Sequence, residues 1–274
     1  MYRCIAVLFS ALALCTGQIL RFNIRTQEVV EQRLRAVPGT NEERHQLLGD
    51  MIRRAGCADR LVEQPVKHSK TSNLICTVPG QSGSVIVVGA HFDAVDAGKG
   101  AVDNWSGAAL LPTLLEGVAV VSRRHTFVFI GFTDEEKGLV GSRFYVDHLS
   151  KEDRKNISGM VNIDSVGTST TKVETERSSK NLIDALGRVA GSLKVPVSVV
   201  NVHLVGISDS DSFQDRKIPA ISIHSITQDT LPILHSKRDQ IEAIHMSEYY
   251  DTYRLVLAYL AYLDEILDPS APQS

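Results

Sequence analysis

The sequence lacks any basic stripe or run of like charge. Its 29 Lys and Arg against 32 Asp and Glu leave a formal net charge of −3, which gives no electrostatic footprint for nucleic acid. No internal repeat points to a solenoid or propeller. No stretch is rich enough in Gly, Ser or Pro to act as a linker dividing the chain. Past the amino-terminal segment, no apolar run approaches the ~20 residues that span a bilayer. Cysteine is scarce, with four in 274 residues. What remains is ordinary for a globular protein: 43% apolar and 22% charged residues, in a length that suits one large α/β domain or two small ones.

The amino terminus departs from this composition. Arg3 precedes an apolar segment at residues 4–14, and the small residues Cys15, Thr16 and Gly17 follow. This is the pattern of a secretory signal peptide. It predicts a cleaved segment at residues 1–17, a mature single domain at 18–274, and a secreted or periplasmic location. A buried terminal helix is the alternative. A lipid anchor on Cys15 is a lesser one, because Leu14 is bulky where a small residue is expected. Only Cys57 and Cys76 then remain. In an oxidising compartment they can pair, closing a loop of about 20 residues for roughly 3 kcal/mol; otherwise they are two buried thiols. Asn156-Ile157-Ser158 is a glycosylation sequon. Asn104-Trp105-Ser106 is another, but a glycan there would cover the site described next.

Four apolar runs lead into candidate ligands. Residues 84–90 precede His91, residues 126–132 precede Glu135 and Glu136, residues 160–163 precede Asp164, and residues 218–223 precede His235 after a loop. Short β-branched and aromatic runs suit strands covered on both faces, as in parallel sheets. Ligands of open α/β sheets bind beyond the carboxyl ends of such strands. Helices are predicted at residues 26–35, 41–54, 138–149, 178–193 and 247–266, and an apolar one at 106–121 with a kink at Pro112. Edge strands are expected at 61–63 and 72–78, and another strand from Pro196 to Val200. Residues 269–274 should fray. The alternation of strands and helices predicts one α/β domain.

Two imidazoles and three carboxylates are enough to hold a pair of divalent ions ~3.5–4 Å apart. Asp103, at a turn that opens a helix, is the natural bridge. His91 and Asp164 complete one ion, and Glu136 and His235 the other. Mixed nitrogen and oxygen donors suit zinc, with cobalt or manganese as alternatives. Glu135 diverges from Glu136 and can act as general base. Asp93 lies two residues after His91 and can accept its other ring N–H. Each feature has a plainer reading taken singly. A lone histidine after a strand is usually a surface or capping residue, and the other seven histidines, His224 among them, are assigned to that. Glu135-Glu136 alone is a solvated loop, and Asp103-Asn104 alone a turn. Four such residues trailing four strands make the conjunction informative.

These residues resemble the co-catalytic zinc exopeptidases, a family that includes bacterial leucyl aminopeptidases, plasma-type glutamate carboxypeptidases and glutaminyl cyclases. The motifs are His91-Phe92-Asp93, Asp103-Asn104-Trp105-Ser106-Gly107, Glu135-Glu136-Lys137-Gly138-Leu139-Val140-Gly141-Ser142, Asn162-Ile163-Asp164, Ser208-Asp209, and His235-Ser236 with Asp239. The resemblance implies a three-layer α/β/α sandwich around a mixed, mostly parallel sheet, of the phosphorylase/hydrolase-like type. It assigns two zinc ions to His91, Asp103, Glu136, Asp164 and His235, the base to Glu135 and ligand orientation to Asp93. The chain departs from the family at Ser210, where a histidine or tyrosine is common, and it lacks the extra domain of the larger carboxypeptidases. The expected activity is that of a secreted aminopeptidase acting on peptide or protein N-termini, with attack by a metal-bound hydroxide. A glutaminyl cyclase with a single zinc is the alternative. The Asp-Asn-x-Ser-Gly turn speaks for the peptidases, as does Leu234, where cyclases tend to carry tryptophan. A binding homologue without activity is a third reading, against which all ligands and the base are retained. Pocket walls are expected from residues 202–213 and 228–234.

Overall fold

The computed structural model describes residues 20–201 and 206–267. The expected signal segment and residues 269–274 lie outside the described residues. Eight strands form one sheet: β1 (Leu61–Pro65), β2 (Ser72–Val78), β3 (Val85–His91), β4 (Thr126–Phe132), β5 (Ile157–Ile163), β6 (Thr171–Glu174), β7 (Val197–Val200) and β8 (Ala220–His224). Their order is β1-β2-β4-β3-β5-β8-β6-β7. The central β4, β3, β5 and β8 run parallel, and β1, β2 and β6 join through antiparallel pairs. The four apolar runs are thus these four central strands.

Period-two alternation assigns each strand residue to one of two cores. Ile86, Val88 and Ala90 of β3, with Phe127 and Phe129 of β4, enter the larger one. It is closed by helices α1 (Gln27–Arg35), α2 (Asn41–Ile52), α4 (Leu111–Val118), α7 (Lys180–Leu193) and α9 (Met246–Ile266). Val87 of β3 and Val128, Ile130 and Phe132 of β4 face the other way. They meet Tyr145 and Val146 of α5 (Val140–His148) and Phe213 of α8 (Asp209–Gln214). Strands apolar on both faces therefore lie between two helical layers, the α/β/α sandwich that the family resemblance implies.

Local chemistry sets the helix boundaries. Thr40 and Glu43 form a reciprocal capping box at the start of α2, and Ser150 with Asp153 does the same for α6 (Lys151–Asn156). Two tyrosines of α9, Tyr249 and Tyr259, bury their rings and spend their hydroxyls on backbone carbonyls. Tyr249 donates to Ser106 O at 2.8 Å, and Tyr259 donates to Leu182 O at 2.9 Å. The helix expected at 106–121 is divided into α3 (Ser106–Ala108) and α4, not kinked. Pro112 sits in the first turn of α4, where its missing N–H interrupts no helical bond. Among the strands and α-helices of the described residues, three short ones went unpredicted: β6, α6 and α8. In α8 five of the six residues are polar, Phe213 being the exception, so no apolar period reveals it.

Cys57 and Cys76 form a disulfide, with Cα atoms 6.0 Å apart. It ties the wide helical turn after α2 (Arg53–Cys57) to β2. Replacing both cysteines by alanine should lower the unfolding free energy by about 3 kcal/mol, read as an earlier midpoint in urea. An unchanged midpoint would show that the bridge adds nothing to a chain already closed by packing.

Candidate active site

The carboxyl ends of β3, β4, β5 and β8 open into one crevice. His91 is the last residue of β3, Asp164 follows β5 directly, and Glu135 and Glu136 lie in the tight turn between β4 and α5. That turn closes because the Glu135 carbonyl accepts N–H groups from Gly138 and Leu139, both at 2.8 Å. His235 comes from the loop after β8 and holds a left-handed backbone, φ 53°.

The geometry brings all five candidate ligands together in two overlapping triads, His91/Asp103/Asp164 and Asp103/Glu136/His235. In each triad one donor atom per residue lies within 4.8 Å of the others. Asp103 divides its carboxylate between them. Its Oδ1 lies 3.3 Å from His91 Nε2 and its Oδ2 3.2 Å from His235 Nε2. Asp164 Oδ1 is 3.6 Å from His91 Nε2, and Glu136 Oε2 is 2.9 Å from His235 Nε2. Glu135 Oε2 lies 4.0 Å from His91 Nε2.

A second layer of side chains holds this arrangement. His91 Nδ1 lies 3.2 Å from the Asp93 carbonyl and 3.5 Å from its carboxylate. The Asp93 carboxylate also accepts the N–H of Glu135 at 3.0 Å and of Glu136 at 3.2 Å. One residue therefore orients the imidazole and both glutamates. Asp239 accepts the N–H groups of Val102 at 2.7 Å and Asp103 at 3.2 Å. Asn104 donates to Ile163 O at 2.9 Å and accepts from Gly107 N and Ser165 N at 2.8 and 3.0 Å, fastening the Asp103 turn to the end of β5. Gly107 is required there, because a Cβ would stand 2.2 Å from Ile163 O. The peptide between Asp103 and Asn104 is cis.

Arg44 of α2 was not singled out from the sequence, since one arginine in an amphipathic helix carries no signal. It is buried over the Trp105 ring and donates to Phe92 O, Lys99 O and Gly100 O. It thereby clamps the segment between His91 and Asp103.

Burial concentrates charge here. It pushes Glu135 up to about 10, with Asp209, Asp164 and Asp103 adding to it against His91. Glu136 is pushed up to about 7, by burial first and then by Asp103. Burial would also raise Asp103, but hydrogen bonds from His235 and His91 hold it below the usual carboxylate range. The same bond to Asp103 leads in raising His235 to about 9. Burial works against His91, yet the surrounding carboxylates lift it well above its usual value. Glu136 Oε1 is buried with no hydrogen-bond partner. Clustered oxygens and imidazole nitrogens, one of them orphaned, are a donor set suited to divalent cations.

The crevice widens into a cleft of about 920 Å³. Ile207, Ser210, Gln228, Leu231 and Leu234 line it, as the sequence led one to expect, while residues 202–205 lie outside the described ones. Another part of the lining was not foreseen: Lys172 and Glu174 of β6, beside Ser222 and His224 of the neighbouring β8. His224 is no surface residue. It is buried, and that burial pushes it down to about 4.

Residues 73–260 match Peptidase family M28, and the chain belongs to this family. It is 31% identical over 182 residues to aminopeptidase YwaD of Bacillus subtilis (strain 168), which covers 64% of this chain and 40% of the relative. The chain thus spans less than half the length of that protein. A structure described as BSAP, a zinc aminopeptidase from Bacillus subtilis, superposes with a TM-score of 0.65 at 26% identity, covering 74% of this chain and 52% of the other. Glutaminyl cyclase from Porphyromonas gingivalis shares the fold, with a TM-score of 0.66 at 18% identity over 87% of this chain and 96% of that one.

These electrostatics have a definite sign. The raised histidines contribute stability that is complete below their usual value of 6.5 and is lost at higher pH, for His235 as pH climbs through about 9. The raised glutamates oppose folding increasingly as pH rises above 4.5 toward about 7 and beyond. Asp103, held low, matters only in more acid solution. The melting temperature of chelator-treated protein should therefore fall between pH 5 and pH 9, the range bracketing these shifts. Zinc should raise it increasingly over that range, because its ligands must be deprotonated. Calorimetry showing the metal-free protein gaining stability with pH would refute this account.

Proposed function

We propose that the chain is a secreted zinc-dependent aminopeptidase that hydrolyses the N-terminal bond of peptides. The observation that carries this reading is the division of the Asp103 carboxylate between His91 and His235. The B. subtilis structure of the same family is described as a zinc enzyme, and nitrogen and oxygen donors suit zinc here. In this reading His91, Asp103 and Asp164 hold one ion, and Asp103, Glu136 and His235 a second. Bound ions supply Lewis acidity toward the scissile carbonyl and make water more acidic.

The chain's own residues then do the following. Glu135 takes the proton of the attacking water and delivers it to the leaving amine. Its burial favours holding that proton between the two events, and neighbouring cations would bring its high pKa down toward neutrality. Asp93 keeps the Glu135–Glu136 segment and the His91 ring in register. Residues 18–274 act as one catalytic domain after removal of residues 1–17. The disulfide fits the oxidising, extracytoplasmic setting that such removal implies, and no helix among the described residues is long and apolar enough to cross a membrane.

A glutaminyl cyclase shares this fold, so the fold does not separate the two activities. Metal content does: two zinc ions per chain support the peptidase, and one supports the cyclase. Purified protein should hydrolyse a panel of aminoacyl fluorogenic amides and lose that activity to a chelator. Glu135→Gln should lower kcat by about 10² to 10⁴ with zinc content retained. Undiminished hydrolysis by that variant would remove Glu135 from the mechanism.

A further inference from the structure

The fold leaves two hydrogen-bond donors without acceptors on the cleft wall. β6 and β8 pair antiparallel, with Val173 opposite Ile223 and Lys172 opposite His224. Val173 and Ile223 are fully buried in the core. Alternation turns Lys172 and His224 to the other face, where both line the cleft beside Asp164.

His224 Nδ1 accepts the N–H of Ile226 at 3.1 Å, so the neutral ring carries its proton on Nε2. That nitrogen is buried and has no partner. Lys172, only 8% exposed, donates to Ser169 Oγ at 2.7 Å and Thr170 O at 3.0 Å. An ammonium has three N–H groups, and the third meets no acceptor among the described residues. The acid two residues along, Glu174, is already engaged: its oxygens accept the N–H groups of Glu176 and Arg177 at 2.8 and 2.7 Å. The Lys172 ammonium, little exposed although Glu248 favours its charge, stands beside an unpaired N–H, and both are better satisfied once a ligand supplies the acceptor.

We propose that Lys172 and His224 form a carboxylate-binding subsite of this cleft, one that takes an acidic group of the substrate. The inference rests on the aminopeptidase reading and goes beyond it by naming a substrate class. A carboxylate can meet both donors at once, with one oxygen on the ammonium and the other on the imidazole N–H. It comes either from an acidic side chain on the cleaved residue or from the free carboxyl end of a short peptide.

The test compares kcat/KM of the zinc-loaded protein on glutamyl, aspartyl and leucyl anilides, and on Leu-Leu against Leu-Leu amide. A side-chain source is expected to favour the acidic anilides over leucyl by about tenfold or more, and a carboxyl-terminal source to favour Leu-Leu over its amide by a similar factor, a charge-assisted bond being worth about 1.5–3 kcal/mol. Lys172→Met and, separately, His224→Phe should each collapse the favoured ratio, and Lys172→Arg should restore part of it. Should Lys172→Met fail to fold, the wild-type ratios and His224→Phe carry the test. Hydrolysis of the leucyl anilide with neither carboxylate preferred, or a preference kept in both variants, overturns the subsite and leaves the aminopeptidase reading standing. If no aminoacyl substrate is hydrolysed, that reading falls. Titration calorimetry with glutarate then decides the subsite: binding weakened in Lys172→Met supports it, and no binding to the wild type overturns it.

Discussion

A single carboxylate facing two imidazoles is the interaction on which the rest of the site depends. Asp103 can present one oxygen to His91 and the other to His235 only if its turn is held against two strand ends at once. The surrounding side chains do this work. Asp239 takes the two backbone N–H groups that enter the turn. Asn104 ties the turn to β5. Ser106 bonds Val102 O and the N–H of Val166. Arg44 collects the carbonyls of the preceding segment. Each is a buried polar group with its partners supplied, which makes such a network rigid.

The same arrangement stores electrostatic conflict. Several carboxylates share one buried crevice, and burial raises Glu135, Glu136 and Asp209. The imidazoles are drawn toward their charged forms in compensation. Perturbed groups clustered in a cleft are the usual mark of a functional site, and divalent cations are the natural relief for this one.

Much of this was legible beforehand, for a physical reason. The four central strands are buried on both faces, so each appears in the sequence as a mainly apolar run, and the residue just past such a run is placed by the sheet itself. The sequence missed what burial does not mark. β6 reads Thr-Lys-Val-Glu, too short and polar to announce a strand, yet it brings Lys172 and Glu174 to the cleft. His224 looked like a surface histidine because it follows a strand as His91 does. Only the antiparallel pairing with β6 turns it inward. Pro112 signalled an interruption, but whether a kink or a break resulted depended on where the next helix could start.

By itself the sequence determined the strand cores, the identity of the candidate ligands and the pair of cysteines, because hydrophobic period, residue chemistry and composition are local properties. Tertiary structure alone decided that Asp103 reaches both histidines, that Asp93 serves the glutamates as well as the ring, and that Lys172 is paired with His224 across two strands. Those contacts join residues far apart along the chain, and no periodicity records a distance that only the folded sheet creates.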